Sequence, residues 1–145
     1  MDERDKFLQE VFERHIDKSY SVLEIGCGNG RRMRDLEAEG YKVEGIDKLQ
    51  GTAIEDVKEK EYDVIFTMST FFLIPRENDW VFEKIARMAK KYIITIEGEE
   101  EWERIKVVGR NYKEVFEPFG FKEIENRVNV FNQFGVSRVL KRNET

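Results

Sequence analysis

The sequence predicts an α/β fold, a doubly wound, mostly parallel sheet that finishes in a C-terminal antiparallel hairpin. Three observations carry that expectation. Apolar residues switch repeatedly between helical and strand spacing along the chain, the pattern of strands joined by crossover helices. A strand-like run at 21–26 leads straight into a glycine-rich turn and a helix. The final segment holds two strand-like stretches, near 121–130 and 134–141, separated by only a few residues.

Each element has its own signal. Phe7, Leu8, Val11, Phe12 and Ile16 share one helical face, which places a lead-in helix over roughly 3–17. SVLEIG (21–26) reads as a buried strand, and a helix over 30–39 follows with Met33 and Leu36 inward and Gly40 as its left-handed stop. YKVEGID (41–47), EYDVIFT (61–67) and KYIITIE (91–97) are the next strands. Val81, Ile85, Met88 and Ala89 recur at helical spacing after the turn at Pro75, and Tyr112, Val115, Phe116 and Phe119 do so before Gly120. The right-handed crossover rule puts helices on both faces of such a sheet.

A chain of 145 residues supports one domain, 1–145, with the lead-in helix inside 1–20. Its net charge of −5, with cations interspersed among anions, argues against a nucleic-acid surface built on phosphate neutralisation. The polar first residues and the lack of a long apolar run lead us to expect neither a signal peptide nor a membrane helix, and the single Cys27 suits a reducing, cytoplasmic setting. No Cys/His cluster has the spacing of a metal site.

The chemistry is concentrated in VLEIGCGNG (22–30). Glycines at 26, 28 and 30 allow a tight strand-to-helix turn against which a ligand can pack on bare backbone, with N–H donors at the helix start. Asp47 ends the next strand and so falls beside that loop, at the carboxyl edge where open α/β sheets bind ligands. A carboxylate there accepts hydrogen bonds from both hydroxyls of a ribose, so the pair points to an adenosine-containing ligand. The dinucleotide fingerprint is GxGxxG, whereas this chain reads GxGxG and has Arg31 where the third glycine would stand. That spacing disfavours a nicotinamide-dependent oxidoreductase.

VLEIGCGNG, VEGIDK (43–48) and EYDVIFT (61–67) together resemble the class I S-adenosylmethionine-dependent methyltransferases, over most of the chain after residue 20. The resemblance implies a Rossmann-like methyltransferase fold with S-adenosylmethionine as cofactor and S-adenosylhomocysteine as product. Carried over by position, it implies that Glu24 holds the methionine amino end and that Gly26, Cys27, Gly28, Asn29 and Gly30 form the cofactor loop. Asp47 would bind the ribose, Lys48, Thr52 and Ala53 would edge the adenine, and Thr67 and Met68 would approach the sulfonium.

Two departures from the family pattern stand out. Asp47 and Asp63 are 16 positions apart, too few for a full crossover helix and a further strand, so one crossover is shortened. Thr52 stands where relatives often present an acid to the adenine, which leaves Glu55 or Asp56 as substitutes or an open adenine edge with weaker binding. In addition, MSTFFLIP (68–75) offers no base where many relatives carry a histidine, so no catalytic residue is assigned. Displacement at a sulfonium can run on positioning and desolvation alone. An acceptor already competent as a nucleophile, such as a carboxylate, thiolate or neutral amine, fits that best. Phe71 and Phe72 are candidates for the pocket wall.

Other residues read as structural. His15 lies on the lead-in helix and Asp63 at a strand start, away from the ligand edge. Arg31, Arg32 and Arg34 open a helix, where cations oppose its dipole; the default is solvated charge, the alternative an anionic substrate group. The expected function is methyl transfer to a small-molecule or protein nucleophile. The alternative is a non-catalytic S-adenosylmethionine-binding subunit of another methyltransferase. With no inserted cap domain, the acceptor side is open or completed by a homodimer or a partner subunit.

Overall fold

In the computed structural model, which describes residues 3–101, 107–130 and 135–144, the six strands form one sheet in the order β2-β1-β3-β4-β6-β5. Strands β1 (Ser21–Ile25), β2 (Lys42–Ile46), β3 (Tyr62–Met68) and β4 (Ala89–Gly98) pair in parallel. β6 (Gly135–Arg142) runs antiparallel to both β4 and β5 (Phe121–Val130), and is therefore the reversed strand the hairpin requires.

Alternation along the central strands divides the core between two faces. Val22, Val64, Phe66 and Ile94 face Leu8, Val11 and Phe12 of α1 (Glu3–His15) and Leu36 of α2 (Arg31–Ala38). Leu23, Ile65 and Ile93 face Val81, Phe82 and Ile85 of α3 (Trp80–Met88), together with Tyr112 and Phe116 of α4 (Tyr112–Phe116). The second face is dense in aromatic contacts: Phe71 and Phe82 meet edge to face with centroids 5.2 Å apart.

Boundaries moved where local chemistry overrode periodicity. Ala89 leaves the helix and opens β4 opposite Tyr62, because its backbone is already extended. The helix expected through Phe119 shortens to Tyr112–Phe116 and tightens into a 3-10 turn over Glu117–Phe119, where Pro118 has no N–H to continue the ladder. Phe119 consequently turns outward and is 36% exposed.

The crossover from β2 to β3 contains no α-helix, as the short spacing predicts. A 3-10 turn over Lys48–Gln50 and further turns occupy it, and Ile54 and Val57 pack onto the α3 face in place of a helix. Among the described residues no helix is long and apolar enough to cross a membrane.

Candidate functional site

Ile25, Ile46 and Thr67 lie side by side at the carboxyl ends of β1, β2 and β3, so the turns that follow these strands converge. The glycine loop is tied down first by backbone: the N–H groups of Gly26 and Cys27 both donate to Ile46 O, at 2.8 and 3.1 Å. Gly28 N–H then donates to Asp47 Oδ2 at 2.9 Å, while Asp47 Oδ1 accepts from Leu49 N–H at 2.8 Å. Asp47 thus caps the 3-10 turn that follows it and fixes the glycine loop. Each carboxylate oxygen keeps a lone pair for a further donor.

Gly26 is required by contact as well as by conformation. Its φ is +80°, and a Cβ there would stand 2.1 Å from Thr70 Oγ1, so the turn after β3 seats directly on bare backbone. That turn is itself unusual, because Ser69 holds a left-handed φ of 56°. Glu97, at the end of β4, gathers it from below. The buried carboxylate accepts from Thr67 Oγ1, from Thr70 N–H at 2.9 Å and from Phe72 N–H at 3.3 Å. Burial pushes the Glu97 carboxyl up to about 7, and those donors hold it from rising further.

A cavity of about 480 Å³ opens between these turns, within the size range of small-molecule sites. Of the residues the sequence singled out, Gly26, Asp47, Lys48, Thr52 and Met68 line it. Glu24, Cys27, Gly28, Asn29, Gly30, Ala53 and Thr67 do not. Glu24 is fully buried, with Oε2 accepting from Arg32 Nε at 2.9 Å and Oε1 left without a partner. Cys27 packs toward Gly45, and burial, with the Glu24 and Asp47 carboxylates nearby, pushes its thiol up, away from nucleophilic chemistry.

Several expectations need correcting. Loop N–H donors were expected to face a ligand, but those of Gly26, Cys27, Gly28, Gly30 and Arg31 all have internal acceptors. The arginines at the start of α2 are engaged as well. Arg31 pairs with Asp5, Arg32 with Glu24, and Arg34 donates to Asn29 O at 2.8 Å. Phe71 is fully buried in the aromatic core; Leu73 and Ile74 form the wall instead. Arg110 ties down the backbone here, its buried guanidinium donating to Phe71 O at 3.0 Å and Ile74 O at 2.7 Å. His15 meets Glu125 at 3.2 Å, and Asp63 accepts from Ser21 N–H at 2.9 Å, both structural contacts.

No protein-family profile matches the chain, and no curated protein matches it in sequence. Solved structures do match. The 1,6-didemethyltoxoflavin-N1-methyltransferase of Burkholderia thailandensis, solved with 1,6-didemethyltoxoflavin and S-adenosylhomocysteine, superposes with a TM-score of 0.79 at 10% identity, over 98% of this chain and 79% of that one. Magnesium protoporphyrin IX methyltransferase of Synechocystis, solved with S-adenosylhomocysteine, gives 0.76 at 12% identity, over 97% and 84%. The fold is that of class I S-adenosylmethionine-dependent methyltransferases. A third match comes from a chain of a complex that contains the Haloferax volcanii Trm112 methyltransferase activator, with a TM-score of 0.69 at 14% identity, over 98% of this chain and 94% of that one.

On this methyltransferase fold the cavity wall carries both signs of charge, with Arg4 and Arg32 as well as Asp47 and Glu55. Sequence reasoning missed Arg4, Thr70 and Ile74. Arg32 had a readable signal, because a cation at a helix start needs a partner elsewhere. Glu55 lines the cavity and keeps a buried Oε1 with no partner.

Proposed function

We propose that this chain binds S-adenosylmethionine in the cavity beside Gly26 and Asp47 and transfers its methyl group to a small-molecule or protein nucleophile, releasing S-adenosylhomocysteine. The observation that carries the reading is Asp47, which reaches the cavity wall while bonding the glycine loop through Gly28. The residues present fit the cofactor. Gly26 and Asp47 both line the cavity, and the unpartnered oxygen of Glu55 on its wall calls for a donor such as an amine. The mixed-sign wall suits a ligand that carries both an ammonium and a carboxylate.

In this reading Asp47 accepts from the ribose hydroxyls, with Lys48, Thr52 and Ala53 along the adenine edge and Glu55 as acceptor for its amino group. Gly26, Cys27, Gly28, Asn29 and Gly30 shape the loop, Glu24 works at the methionine end with Arg32, and Thr67 and Met68 stand toward the sulfonium. The bound cofactor supplies an electrophilic methyl group, so the chain's own task is to position the acceptor and exclude water. Leu73 and Ile74 serve the second purpose. No titratable side chain on the Ser69–Ile74 wall acts as base, which favours an acceptor that needs no deprotonation.

A second reading is a non-catalytic S-adenosylmethionine-binding subunit. It is favoured by that base-free wall. Binding separates both readings from a dinucleotide enzyme: S-adenosylhomocysteine should raise the melting temperature, NAD should not, and Asp47→Ala should abolish the shift. Turnover of labelled methyl groups by the isolated chain would separate the first reading from the second.

A further inference from the structure

Lys84 belongs to α3, yet its ammonium ends among three main-chain carbonyls of the crossover between β2 and β3. Nζ donates to Ile54 O at 3.0 Å, Glu55 O at 3.3 Å and Val57 O at 2.5 Å. The residue is buried, 7% exposed. An ammonium has three donors, and all three are used. A helix in this crossover would satisfy such carbonyls through its own ladder. Here the helix is missing, and a cation from the neighbouring element satisfies them instead.

The segment held in this way is cavity wall. Thr52, Ile54 and Glu55 line the pocket, Ile54 also packs into the core on the α3 face, and Glu55 Oε1 is the buried oxygen without a partner. Lys84 itself does not line the cavity. Its influence on a ligand therefore passes through the 54–57 backbone, while Asp47 is fixed separately by Gly28 and Leu49.

We infer that Lys84 is a positioning residue for the purine end of the site, holding Glu55 where its carboxylate accepts from the exocyclic amino group of adenine. This rests on the S-adenosylmethionine reading above. Loss of Lys84 then weakens recognition of the amino group selectively and leaves the ribose contacts in place. A role confined to stability would weaken all ligands alike.

The test is calorimetric titration of the full chain with S-adenosylhomocysteine and with S-inosylhomocysteine, which carries an oxo group in place of the amino group. The wild-type chain should prefer the adenosyl ligand about tenfold or more, the size of a hydrogen bond to a charged acceptor. In Lys84→Met that preference should fall to near unity, with little change for the inosyl ligand. If Lys84→Met does not fold, Lys84→Arg serves, because its longer planar head cannot occupy the same point among three carbonyls; the preference should fall several-fold. An unchanged preference in whichever variant folds overturns the proposal, as does a wild-type chain that binds both ligands equally. A wild-type chain that binds neither overturns the S-adenosylmethionine reading instead.

Discussion

The N–H of Gly28 donates to the Asp47 carboxylate at 2.9 Å, joining the glycine loop after β1 to the end of β2. Asp47 therefore has two separable duties: it fixes the loop, and it presents an acceptor to the cavity. Asp47→Asn keeps one oxygen, whereas Asp47→Ala leaves the N–H groups of Gly28 and Leu49 without their acceptor. Stability should fall by about 1–2 kcal/mol in the alanine variant and less in the asparagine variant. Both should lose S-adenosylhomocysteine affinity by tenfold or more, measured by calorimetry alongside urea denaturation.

Gly26→Ala tests the close approach of Thr70. A new Cβ would overlap Thr70 Oγ1, and φ of +80° is unfavourable for alanine. The expected destabilisation is about 2–3 kcal/mol, with binding lost more completely than stability. Gly26→Ala combined with Thr70→Ala should recover part of both, because alanine lacks both the hydroxyl and the methyl carbon that the new Cβ would meet first.

Glu97 gives the chain a specific pH dependence. Burial raises its carboxyl from the ordinary 4.5 to about 7. A group whose pKa is higher folded than unfolded contributes stability that is fully present below its unfolded value and is lost as pH rises through its folded value. The stability of the wild-type chain relative to Glu97→Gln should therefore decline between about pH 4.5 and 7, by about 3 kcal/mol in all. Thermal or urea denaturation of both proteins at several pH values checks this. A difference that stays flat, or that grows with pH, would contradict the assignment.

Arg32 donates to the buried Glu24 carboxylate and is its one ion-pair partner among the described residues. Arg32→Met strands that charge, and a destabilisation of about 3 kcal/mol is expected. Adding Glu24→Gln should restore much of it, since the pair is removed together, and the cycle measures their coupling by urea denaturation. Additive losses would show that the two side chains act independently.

Much of this fold is readable from spacing because its strands are short apolar runs separated by glycine stops. The glycine loop, Asp47 and the missing crossover helix all follow from residues close together in sequence. What sequence could not give are the long-range ties. Lys84 reaches a crossover about 30 positions away, Arg110 bonds the Phe71 carbonyl from 39 away, and Glu97 meets Thr67 from 30 away. Each is a charged residue on an otherwise ordinary element, and only the tertiary fold shows which buried polar groups it satisfies. The internal bonding of the loop N–H groups was unreadable for the same reason. The acceptors of the Gly26, Cys27 and Gly28 N–H groups, Ile46 O and Asp47, lie at the end of another strand and just past it.

The central claim is that the cavity beside Gly26 and Asp47 binds S-adenosylmethionine. The most direct measurement is titration of the wild-type chain with S-adenosylhomocysteine, following both heat and melting temperature. The account predicts one site per chain and a melting temperature that climbs with ligand concentration, with both signals lost in Asp47→Ala. Absence of heat and of any shift at millimolar ligand, in a chain that is folded, would contradict it.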